Sequence, residues 1–517
     1  MSATPKTGHV YLVGAGPGSP GLVTLRARQL IEQADVVVYD YLCHPDLIRW
    51  APEGAEIIYA GKSKSGPAYT LTQDEINELL VDRAKAGQRV VRLKGGDPYV
   101  FGRGGEEAQA LARAGVPFEV VPGVSSAIAA PAYAGIPVTH RDLASTVTFV
   151  TGHEDPSKSG SAIDWAQLAR LRGTKVFLMG VERLRFIAER LMCEGADPAT
   201  PVALVRWGTT ARQQSLEGTL ATMAALAEQH DFKAPAIMVV GDVVKLRCEL
   251  NWFEALPLFD RRIVVTRTRR QSSALTERLA QLGADVLESP TIRIVPVALE
   301  EKAGTMLKTF FRHFDWLVFT SPNAVDLFFG EFFRATGDLR DLGPVKIAAV
   351  GPTTARKLEK LHLRVDLQPE IFTAEKLAAI FSEKVVKSQR FCLPQGRRAD
   401  PQLASHLRAV GAVVEEWTLY DTQPENDDPT GARARYLREG AHWITFTSAS
   451  TAENWHALKL EPAVEAPRPK AASIGPVTSA ALRRLGWEIA AEASASTLDS
   501  LVDAICQFGV ELSHADK

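Results

Sequence analysis

The chain has 517 residues, 46% of them hydrophobic and 23% charged, so its length predicts two to four globular domains. Its 59 lysines and arginines nearly balance 61 aspartates and glutamates, so the chain has no overall positive charge that would attract nucleic acid or a membrane surface. Any binding site for a polyanion must therefore be a local cluster of basic residues. Five scattered cysteines without a CxxC pair argue against a disulfide framework or a zinc site. The N-terminus has no apolar signal core, which predicts a cytoplasmic protein.

The first predicted elements are a strand, a glycine-rich loop, a helix and a second strand. The first strand spans His9 to Val13, the loop spans residues 14–21, and the second strand, Val36 to Tyr39, ends at Asp40. This spacing is compatible with a Rossmann fold in which Asp40 binds a ribose, so a nicotinamide oxidoreductase is one hypothesis. Two prolines in the loop count against it, because they delay the helix and keep a pyrophosphate off its first amides.

Residues 90–107 carry a strong signal for a ligand-binding loop. An apolar strand runs into Gly95-Gly96-Asp97-Pro98, and a second glycine corner, residues 102–105, precedes a predicted helix that begins with two glutamates. Glycines let the backbone approach a ligand closely, and charges of both signs lie at the rim. An ordinary strand-to-helix connection needs one or two glycines, so this stretch favours a ligand loop over a structural turn.

The order of further short motifs makes the sequence signal in this half of the chain specific for one family. The motifs are Gly61 to Lys64, residues 90–107, Val121 to Ala127, Gly135 to Arg141, Thr151 to His153, Met179 to Val181, Trp207 to Thr209 and Pro235 to Gly241. In this order they resemble the tetrapyrrole methylase family, and within it the uroporphyrinogen-III C-methyltransferases, over residues 8–253. The resemblance implies two α/β lobes with S-adenosylmethionine in the cleft between them, in a homodimer.

The resemblance also implies which residues bind the cofactor and move protons. The cofactor would touch Pro17, Gly95, Gly96, Asp97, Val100, Ser125, Ser126, Met179 and Gly208. An electron-rich pyrrole carbon attacks the sulfonium methyl group, which requires alignment and exclusion of water and no metal. Asp40 matches the family's proton acceptor and Lys62 its proton donor. A strand-end aspartate is also a common helix cap or ribose ligand.

Three charged residues match family positions that handle the substrate. Uroporphyrinogen III carries many carboxylates, which suit the fork of an arginine. Arg103 and Arg141 would bind them, and Glu106 would bond a pyrrole N–H or brace an arginine. Surface arginines are more often solvated than functional, but these two lie beside glycine-rich loops.

A boundary at residues 254–260 predicts a short, partly packed linker before a second half, residues 261–508. This half contains an internal duplication. The stretch from Arg262 recurs from Arg390, displaced by 128 residues, and the stretch from Trp316 recurs from Trp443, displaced by 127. Two copies of one α/β unit therefore fill the second half, each with parallel strands and helices.

The duplicated half resembles the uroporphyrinogen-III synthase family. The resemblance rests on the turn from Ser321, the turn at Ser448, the loop that ends at Thr478, and Tyr420. It implies two lobes joined by a pair of strands, where one lobe combines the start of this half with its last hundred or so residues. Inversion of the last pyrrole ring needs hydrogen bonds more than a strong acid, so Ser321, Ser448 and Thr478 would bind substrate. Tyr420 is the candidate proton donor, unless it only packs on a strand.

Together the two resemblances predict a bifunctional α/β enzyme of tetrapyrrole biosynthesis. The second half would close hydroxymethylbilane to uroporphyrinogen III, and the first would methylate that product twice to precorrin-2, for sirohaem or corrinoids. One alternative is that only one half is active and that the other half binds a tetrapyrrole or has a structural role. Another is that the duplicated half is a two-lobed solute-binding module.

Overall fold

A computed structural model of the chain describes residues 8–61, 71–153, 161–267, 269–383, 387–428 and 430–515. These residues form four five-stranded sheets, each packed with helices. We call the four units the first to fourth lobes. The first two make up the N-terminal half and the last two the C-terminal half.

The first lobe is a parallel sheet. Its strands are β1 (His9–Gly14), β2 (Val36–Tyr39), β3 (Glu56–Tyr59), β4 (Arg89–Lys94) and β5 (Phe118–Val121), in the order β3-β2-β4-β1-β5. Its helices are α1 (Leu25–Ile31), α2 (Pro45–Ile48), α3 (Gln73–Lys85) and α4 (Gly104–Arg113). Because all five strands are parallel, the loops that follow them meet at one edge of the sheet. We call this the carboxyl edge.

Helix α5 (Ser126–Tyr133) leads into the second lobe, whose sheet is mostly antiparallel. Its strands are β6 (Val147–Thr151), β7 (Thr174–Leu178), β8 (Pro201–Arg206), β9 (Gln214–Thr219) and β10 (Ala236–Val240), in the order β6-β7-β10-β8-β9. Its helices are α6 (Trp165–Arg170), α7 (Leu184–Cys193), α8 (Met223–Gln229) and α9 (Arg247–Leu250).

The C-terminal half holds ten strands and eleven helices within the described ranges. The strands are β11 (Arg262–Val265), β12 (Asp285–Glu288), β13 (Ile292–Pro296), β14 (Trp316–Phe319), β15 (Lys346–Ala349), β16 (Arg390–Gly396), β17 (Val413–Pro424), β18 (Trp443–Phe446), β19 (Lys470–Ser473) and β20 (Ile489–Glu492). The helices are α10 (Arg269–Gln281), α11 (Glu301–Leu307), α12 (Phe310–His313), α13 (Pro322–Thr336), α14 (Pro352–Lys360), α15 (Ala374–Glu383), α16 (Gln402–Ala409), α17 (Ala432–Glu439), α18 (Ala449–Ala457), α19 (Pro476–Arg484) and α20 (Leu498–Ala515).

The chain divides these strands between two sheets in an interleaved way. The third lobe has the order β12-β11-β18-β19-β20 and so joins the first strands of the half to its last three. The fourth lobe has the order β13-β17-β16-β14-β15 and takes the middle of the chain. The chain crosses between the lobes twice, and the crossing segments pair as the antiparallel ladder of β13 and β17. The two-lobed, strand-linked α/β fold predicted from the sequence is confirmed.

The internal duplication maps onto both sheets with the same order. Strands β12, β11, β18 and β19 of the third lobe correspond to β17, β16, β14 and β15 of the fourth. At the centre of the crossing ladder Ile294 faces Thr422, and these two positions are related by the 128-residue displacement. The two copies have therefore exchanged halves, and each lobe contains strands from both copies.

Local sequence signals explain where helices begin. Thr72 and Glu75 form a capping box at the start of α3, with each side chain bonded to the backbone amide of the other residue. Ser321 caps α13, whose first residue is a proline, and the helix ends at Gly337 with φ of 80°. In the first lobe, β2 and the centre of β4 are rich in valine and buried on both faces, as a parallel sheet covered by helices requires.

The segment between the two halves is packed on both sides. Phe253 contacts the ring of Tyr133 in the N-terminal half, with centroids 4.8 Å apart, and the ring of Phe259 at 5.5 Å. Leu258 belongs to the core of the third lobe. Glu254 accepts hydrogen bonds from Arg247 at 2.5 Å and from other donors of the N-terminal half. Residues 254–260 therefore form a rigid connection.

Candidate functional site

Three loops converge at the carboxyl edge of the first lobe. Gly16 and Gly96 exchange two backbone hydrogen bonds, of 2.8 and 3.2 Å. A Cβ atom at Gly123 would lie 2.2 Å from the carbonyl oxygen of Gly96, so only glycine fits there. The Asp97 carboxylate accepts from the amides of Gly123 at 3.0 Å and Tyr99 at 2.8 Å. The loops after β1, β4 and β5 thus form one fixed floor, and the Asp97 side chain serves to tie them together.

A loop of the second lobe meets this floor across a cleft. The amide of Ser19 donates to Thr209 Oγ1 at 3.1 Å, which links the two lobes. The rings of Tyr41 and Trp207 contact each other edge to face, with centroids 6.1 Å apart. Tyr41 directly follows Asp40, so the cleft brings the end of β2 close to the loop after β8.

Strained backbone concentrates in the loops around this cleft. Five non-glycine residues there have a positive φ: Phe101 (52°), Arg103 (61°), Met179 (58°), Trp207 (49°) and Thr209 (72°). Such conformations are unfavourable for residues with a Cβ atom and cluster at functional sites. The sequence singles out Trp207 and Thr209 only as part of a motif and predicts no role for them, because a residue's φ leaves no mark in composition or periodicity.

The predicted cofactor residues surround the same cleft. Met179 is exposed at the end of β7, and Gly208 is buried in the loop after β8. Ser125 is buried and caps α5, with its Oγ accepting from the amide of Ala127 at 3.3 Å. The remaining candidates are half-buried on the first-lobe side of the cleft: Pro17, Gly95, Gly96, Asp97, Val100 and Ser126. The structure therefore brings the predicted set together on facing loops of two lobes.

Asp40 lies at the carboxyl edge of the first lobe, directly after β2. Its Oδ1 accepts from Arg92 Nη2 at 2.7 Å, and its side chain is 27% exposed. Lys62, the predicted proton donor, lies outside the described residues. Cys43 is no nucleophile, because its Sγ donates to the carbonyl of Leu93 and burial raises the pKa of its thiol to about 12.

The predicted substrate residues differ in their partners. Arg103 forms an ion pair with Glu106 at 2.6 Å, and this hydrogen bond holds the pKa of Glu106 below its usual value. Glu106 therefore braces an arginine, one of the two roles that the sequence leaves open. Arg141 is exposed and forms no ion pair with a described residue. Within the described ranges, no group of three histidine, cysteine, aspartate or glutamate side chains is arranged for a metal ion.

In the C-terminal half, two predicted residues form a hydrogen-bonded pair. The hydroxyls of Tyr420 and Ser321 lie 2.9 Å apart at the carboxyl edge of the fourth lobe. Ser321 also accepts from the amide of Ala324 at 3.2 Å, which fixes the position of its Oγ. The Tyr420 ring is buried against Gly396, where a Cβ atom would lie 2.7 Å from Cε2. Each group thus holds the other's hydroxyl at a defined place.

The other two predicted residues lie on the third lobe. Ser448 follows β18 and caps α18, with Oγ accepting from the amide of Thr451 at 3.3 Å. Thr478 is buried in the first turn of α19, after β19. The duplication relates Ser448 to Ser321, but the position related to Tyr420 is Ile292, which has no hydroxyl. The tyrosine–serine pair is therefore a feature of one lobe only.

Two family models match the chain. The model for tetrapyrrole (corrin/porphyrin) methylases matches residues 9–224. The model for uroporphyrinogen-III synthase HemD matches residues 273–503. The first match covers the lobes with the glycine-rich floor, and the second covers most of the duplicated half.

Three relatives illustrate how these matches combine. The porphyrin biosynthesis protein HemD of Ruminiclostridium josui is 38% identical over 505 residues, which span 97% of this chain and 98% of that protein. The uroporphyrinogen-III C-methyltransferase of Bacillus subtilis strain 168 is 41% identical and covers 74% of this chain and 78% of its own. The S-adenosyl-L-methionine-dependent uroporphyrinogen III methyltransferase of Methanosarcina barkeri strain Fusaro is 59% identical over 46% of this chain and 93% of its own.

Proposed function

The chain belongs to the family of the porphyrin biosynthesis protein HemD of R. josui and matches the models for tetrapyrrole methylases and for uroporphyrinogen-III synthase, and we propose that both halves are active. The C-terminal half closes hydroxymethylbilane to uroporphyrinogen III with inversion of the last ring. The N-terminal half then methylates this product at C2 and C7 to precorrin-2, the precursor of sirohaem and corrinoids. The domains are residues 8–253 and 261–508.

The floor of glycine loops supports S-adenosylmethionine as the methyl donor. A Cβ atom at Gly14 or Gly123 would lie 2.5 or 2.2 Å from neighbouring backbone, so the loops meet without side chains between them and give the cleft a backbone floor that a flat ligand can approach closely. When bound, S-adenosylmethionine supplies an electrophilic methyl group. The chain's own part is to align the substrate ring with that methyl group and to exclude water from it.

The charged residues of the cleft support the assignment of a carboxylate-rich substrate. Arg141 and Arg103 are exposed, and the guanidinium fork suits the carboxylate arms of uroporphyrinogen III. Asp40 takes the proton that the cationic tetrapyrrole loses after methylation, because it is the partly exposed carboxylate at the end of β2. Lys62 is the proposed proton donor.

In the synthase half, the observation that carries the proposal is the Tyr420–Ser321 pair. Loss of water from hydroxymethylbilane requires a proton for the departing hydroxyl, and the tyrosine hydroxyl is placed to give it. Ser448 and Thr478, which follow β18 and β19 of the third lobe, are proposed to bind the substrate. We also propose that the protein is a cytoplasmic homodimer through its N-terminal half. None of the helices in the described ranges is both long and apolar enough to cross a bilayer.

One incubation tests the two activities together. Hydroxymethylbilane and S-adenosylmethionine are supplied to the full chain, and products are identified by mass and isomer type. We expect isomer III first and then its dimethylated form. If hydroxymethylbilane is consumed without methylation, or supplied uroporphyrinogen III is methylated without synthase turnover, then only one half is active. If the N-terminal half binds a nicotinamide dinucleotide and not S-adenosylhomocysteine in calorimetry, the methylase assignment is wrong.

The role of Asp40 is tested by Asp40→Asn. Asparagine keeps the shape and the hydrogen bond from Arg92 but is a poor proton acceptor. We expect turnover of uroporphyrinogen III to fall by about 100-fold, in the range of general-base effects, with little change in affinity for S-adenosylhomocysteine. Unchanged methylation would remove Asp40 from the mechanism.

A further inference from the structure

Three buried charged side chains stand behind Asp40 and form a cluster of four charges with it. Arg92 and Lys94 alternate on β4, so their side chains point to the same face of the sheet. Glu107 faces them from the first turn of α4. The side chains of Arg92 and Glu107 are 2% and 0% exposed, so the cluster is sealed from solvent except at Asp40. Its two cations and two carboxylates balance in charge.

The hydrogen bonds of the cluster connect Lys94, Glu107, Arg92 and Asp40 in series, with both cations donating and both carboxylates accepting. Glu107 Oε1 accepts from Lys94 Nζ at 2.8 Å and from Arg92 Nε at 3.1 Å. Gln73 Nε2 adds a third hydrogen bond at 3.3 Å. Arg92 then uses Nη2 to reach Asp40 Oδ1 at 2.7 Å. The guanidinium of Arg92 is thus the bridge between a fully buried carboxylate and the carboxylate at the cleft.

A buried cluster of charged side chains contributes little to stability, so its presence favours a functional role. Removal of ionised groups from water costs several kcal/mol each, and replacement of a buried ion pair by apolar side chains is often neutral or stabilising. Burial and the neighbouring Arg92 lower the pKa of Lys94 below its usual value, with Glu107 and Asp40 acting in the opposite direction. Among the described residues, Glu107 Oε2 has no hydrogen-bond partner at all. The cluster therefore has a free-energy cost, which includes a buried carboxylate oxygen without a hydrogen bond, that a purely structural core does not need.

We propose that Arg92, held by Glu107, is a positioning residue that orients Asp40 for proton transfer. With Oδ1 bonded to Arg92, Oδ2 accepts no hydrogen bond from a described residue and is the oxygen left for the substrate. Methylation leaves the attacking ring carbon quaternary and the ring cationic. The ring then loses a proton from its N–H or from an adjacent bridging CH2 group to this oxygen, and the electron pair of the broken bond neutralises the ring. The inference rests on the proposed role of Asp40 as proton acceptor.

A double-mutant cycle in the full chain tests whether Arg92 acts through Asp40. Arg92→Lys keeps the charge but cannot hold Glu107 and Asp40 at once, since lysine has no fork. We expect it to lower kcat for methylation by about 10- to 100-fold, with KM for S-adenosylmethionine changed by less than about twofold. In the Asp40→Asn background, the same substitution should lower kcat by less than about twofold, because the group that it orients no longer takes a proton.

The controls separate this role from a general loss of structure. Glu119→Gln removes an exposed ion pair of the same lobe, with Arg26, and should leave kcat unchanged in both backgrounds. Affinity for S-adenosylhomocysteine, measured by calorimetry, shows that each variant is folded. If the Arg92→Lys variant does not bind S-adenosylhomocysteine, Glu107→Gln replaces Arg92→Lys in the cycle, because Glu107→Gln removes the carboxylate that holds Arg92.

Two results would overturn the inference, and they have different consequences for the proposed role of Asp40. An equal fold-loss from Arg92→Lys in both backgrounds means that Arg92 does not act through Asp40, while the proposed role of Asp40 stands. A normal kcat for Asp40→Asn alone overturns the proposed proton acceptor and the positioning residue together.

Discussion

At the scale of single residues, the proposed synthase mechanism depends on the placement of one hydroxyl group. Tyr420 is buried, and its hydroxyl lies 2.9 Å from that of Ser321. Ser321 is itself fixed as the cap of α13, so the pair is anchored to a helix of fifteen residues. A proton donor that is held in this way needs no reorganisation when the substrate's hydroxyl departs.

We therefore expect Tyr420→Phe to slow consumption of hydroxymethylbilane by about 100-fold, the range for loss of a general acid. Ser321→Ala should have a smaller effect, about 10-fold, because the phenol remains but loses its partner. The initial rate and the ratio of isomer III to isomer I give the readout. Tyr436→Phe is the matched control, since Tyr436 is a buried tyrosine of the third lobe outside the proposed site. Normal yield of isomer III at a normal rate in Tyr420→Phe would exclude the tyrosine.

Individual residues differ in how readily the sequence points to them. Asp40 and Tyr420 stand out because they occupy known positions in motifs. Arg92 was not singled out, although two cations at alternate positions of an otherwise apolar strand, Arg92 and Lys94, were a visible signal of a buried charge cluster. Glu107 was noted only as a helix start, because nothing in the sequence shows which of two adjacent glutamates faces the core.

At the scale of elements, the start of α4 contains two adjacent glycines in different surroundings. A Cβ atom at Gly104 would lie 2.4 Å from the carbonyl oxygen of Pro98, in the turn that also holds Asp97. A Cβ atom at Gly105 would meet nothing within 4 Å. The first glycine therefore fixes the distance between the helix and the proposed cofactor loop, and the second does not.

We expect Gly104→Ala to weaken binding of S-adenosylhomocysteine at least about 10-fold, since a clash with backbone must displace the loop. Gly105→Ala should bind normally and gain up to about 1 kcal/mol of stability, as alanine favours a helix. Isothermal calorimetry and thermal unfolding of both variants give the comparison. Equal affinities would show that the Asp97 turn does not form part of the cofactor site.

A second element-scale prediction concerns the ion pairs that fasten β11 and α17 to β12. Asp285 accepts from Arg262 Nε at 3.0 Å and from Arg435 Nη1 at 2.9 Å, and its side chain is 14% exposed. Burial raises its pKa, but the hydrogen bonds and charges of Arg435 and Arg262 outweigh burial and hold the pKa below its ordinary 3.8. Because the folded pKa is the lower one, the stabilisation is complete above about 3.8 and is lost as pH falls through the folded value.

Asp285→Asn should therefore lower the free energy of unfolding by about 3 kcal/mol at pH 7. The difference from the parent protein should narrow as the pH falls below about 3.8. Urea unfolding at a series of pH values measures both effects. Glu453→Gln, which alters an exposed carboxylate of the same lobe, is the control and should behave like the parent. If the difference in unfolding free energy between Asp285→Asn and the parent protein stays constant down to the lowest pH measured, the pH dependence attributed to Asp285 is wrong.

The elements themselves were largely predictable. Valine-rich runs predicted the second strand, Val36 to Tyr39, with the bounds that the structure shows. The positive φ of Met179 and Trp207 was not predictable, because tertiary contacts impose these conformations on residues that rarely adopt them. The mostly antiparallel sheet of the second lobe also escaped analysis of single segments, since strand direction depends on how distant segments pair.

At the scale of the whole molecule, residues 254–260 decide how the two halves are joined. Glu254 is bonded to Arg247, Gln213 and Ser215, all of the N-terminal half, and these hydrogen bonds help to hold its pKa low despite burial. Only four residues later, Leu258 enters the core of the third lobe. The sequence predicted a short, partly packed linker, and the contacts make it a rigid one.

We expect Glu254→Gln to lower the thermal stability of the N-terminal half, by about 2 kcal/mol at its midpoint, because buried Arg247 loses a charged partner. The C-terminal half should unfold as before, so calorimetry should show one transition moving and one unchanged. Glu249→Gln, an exposed position on α9, is the matched control and should shift neither. A shift of both transitions by Glu254→Gln would mean that the halves unfold as one unit.

The exchange of strands between the two copies of the duplicated half has a consequence for how the protein is assembled during its synthesis. The fourth lobe is built from one continuous stretch, β13 to β17, and can complete its sheet while the ribosome is still at work. The third lobe cannot, because β11 pairs with β18, about 180 positions further along the nascent chain. Until that strand emerges, β11 keeps an unpaired edge, so this polypeptide most needs a chaperone while the stretch between β11 and β18 is being translated.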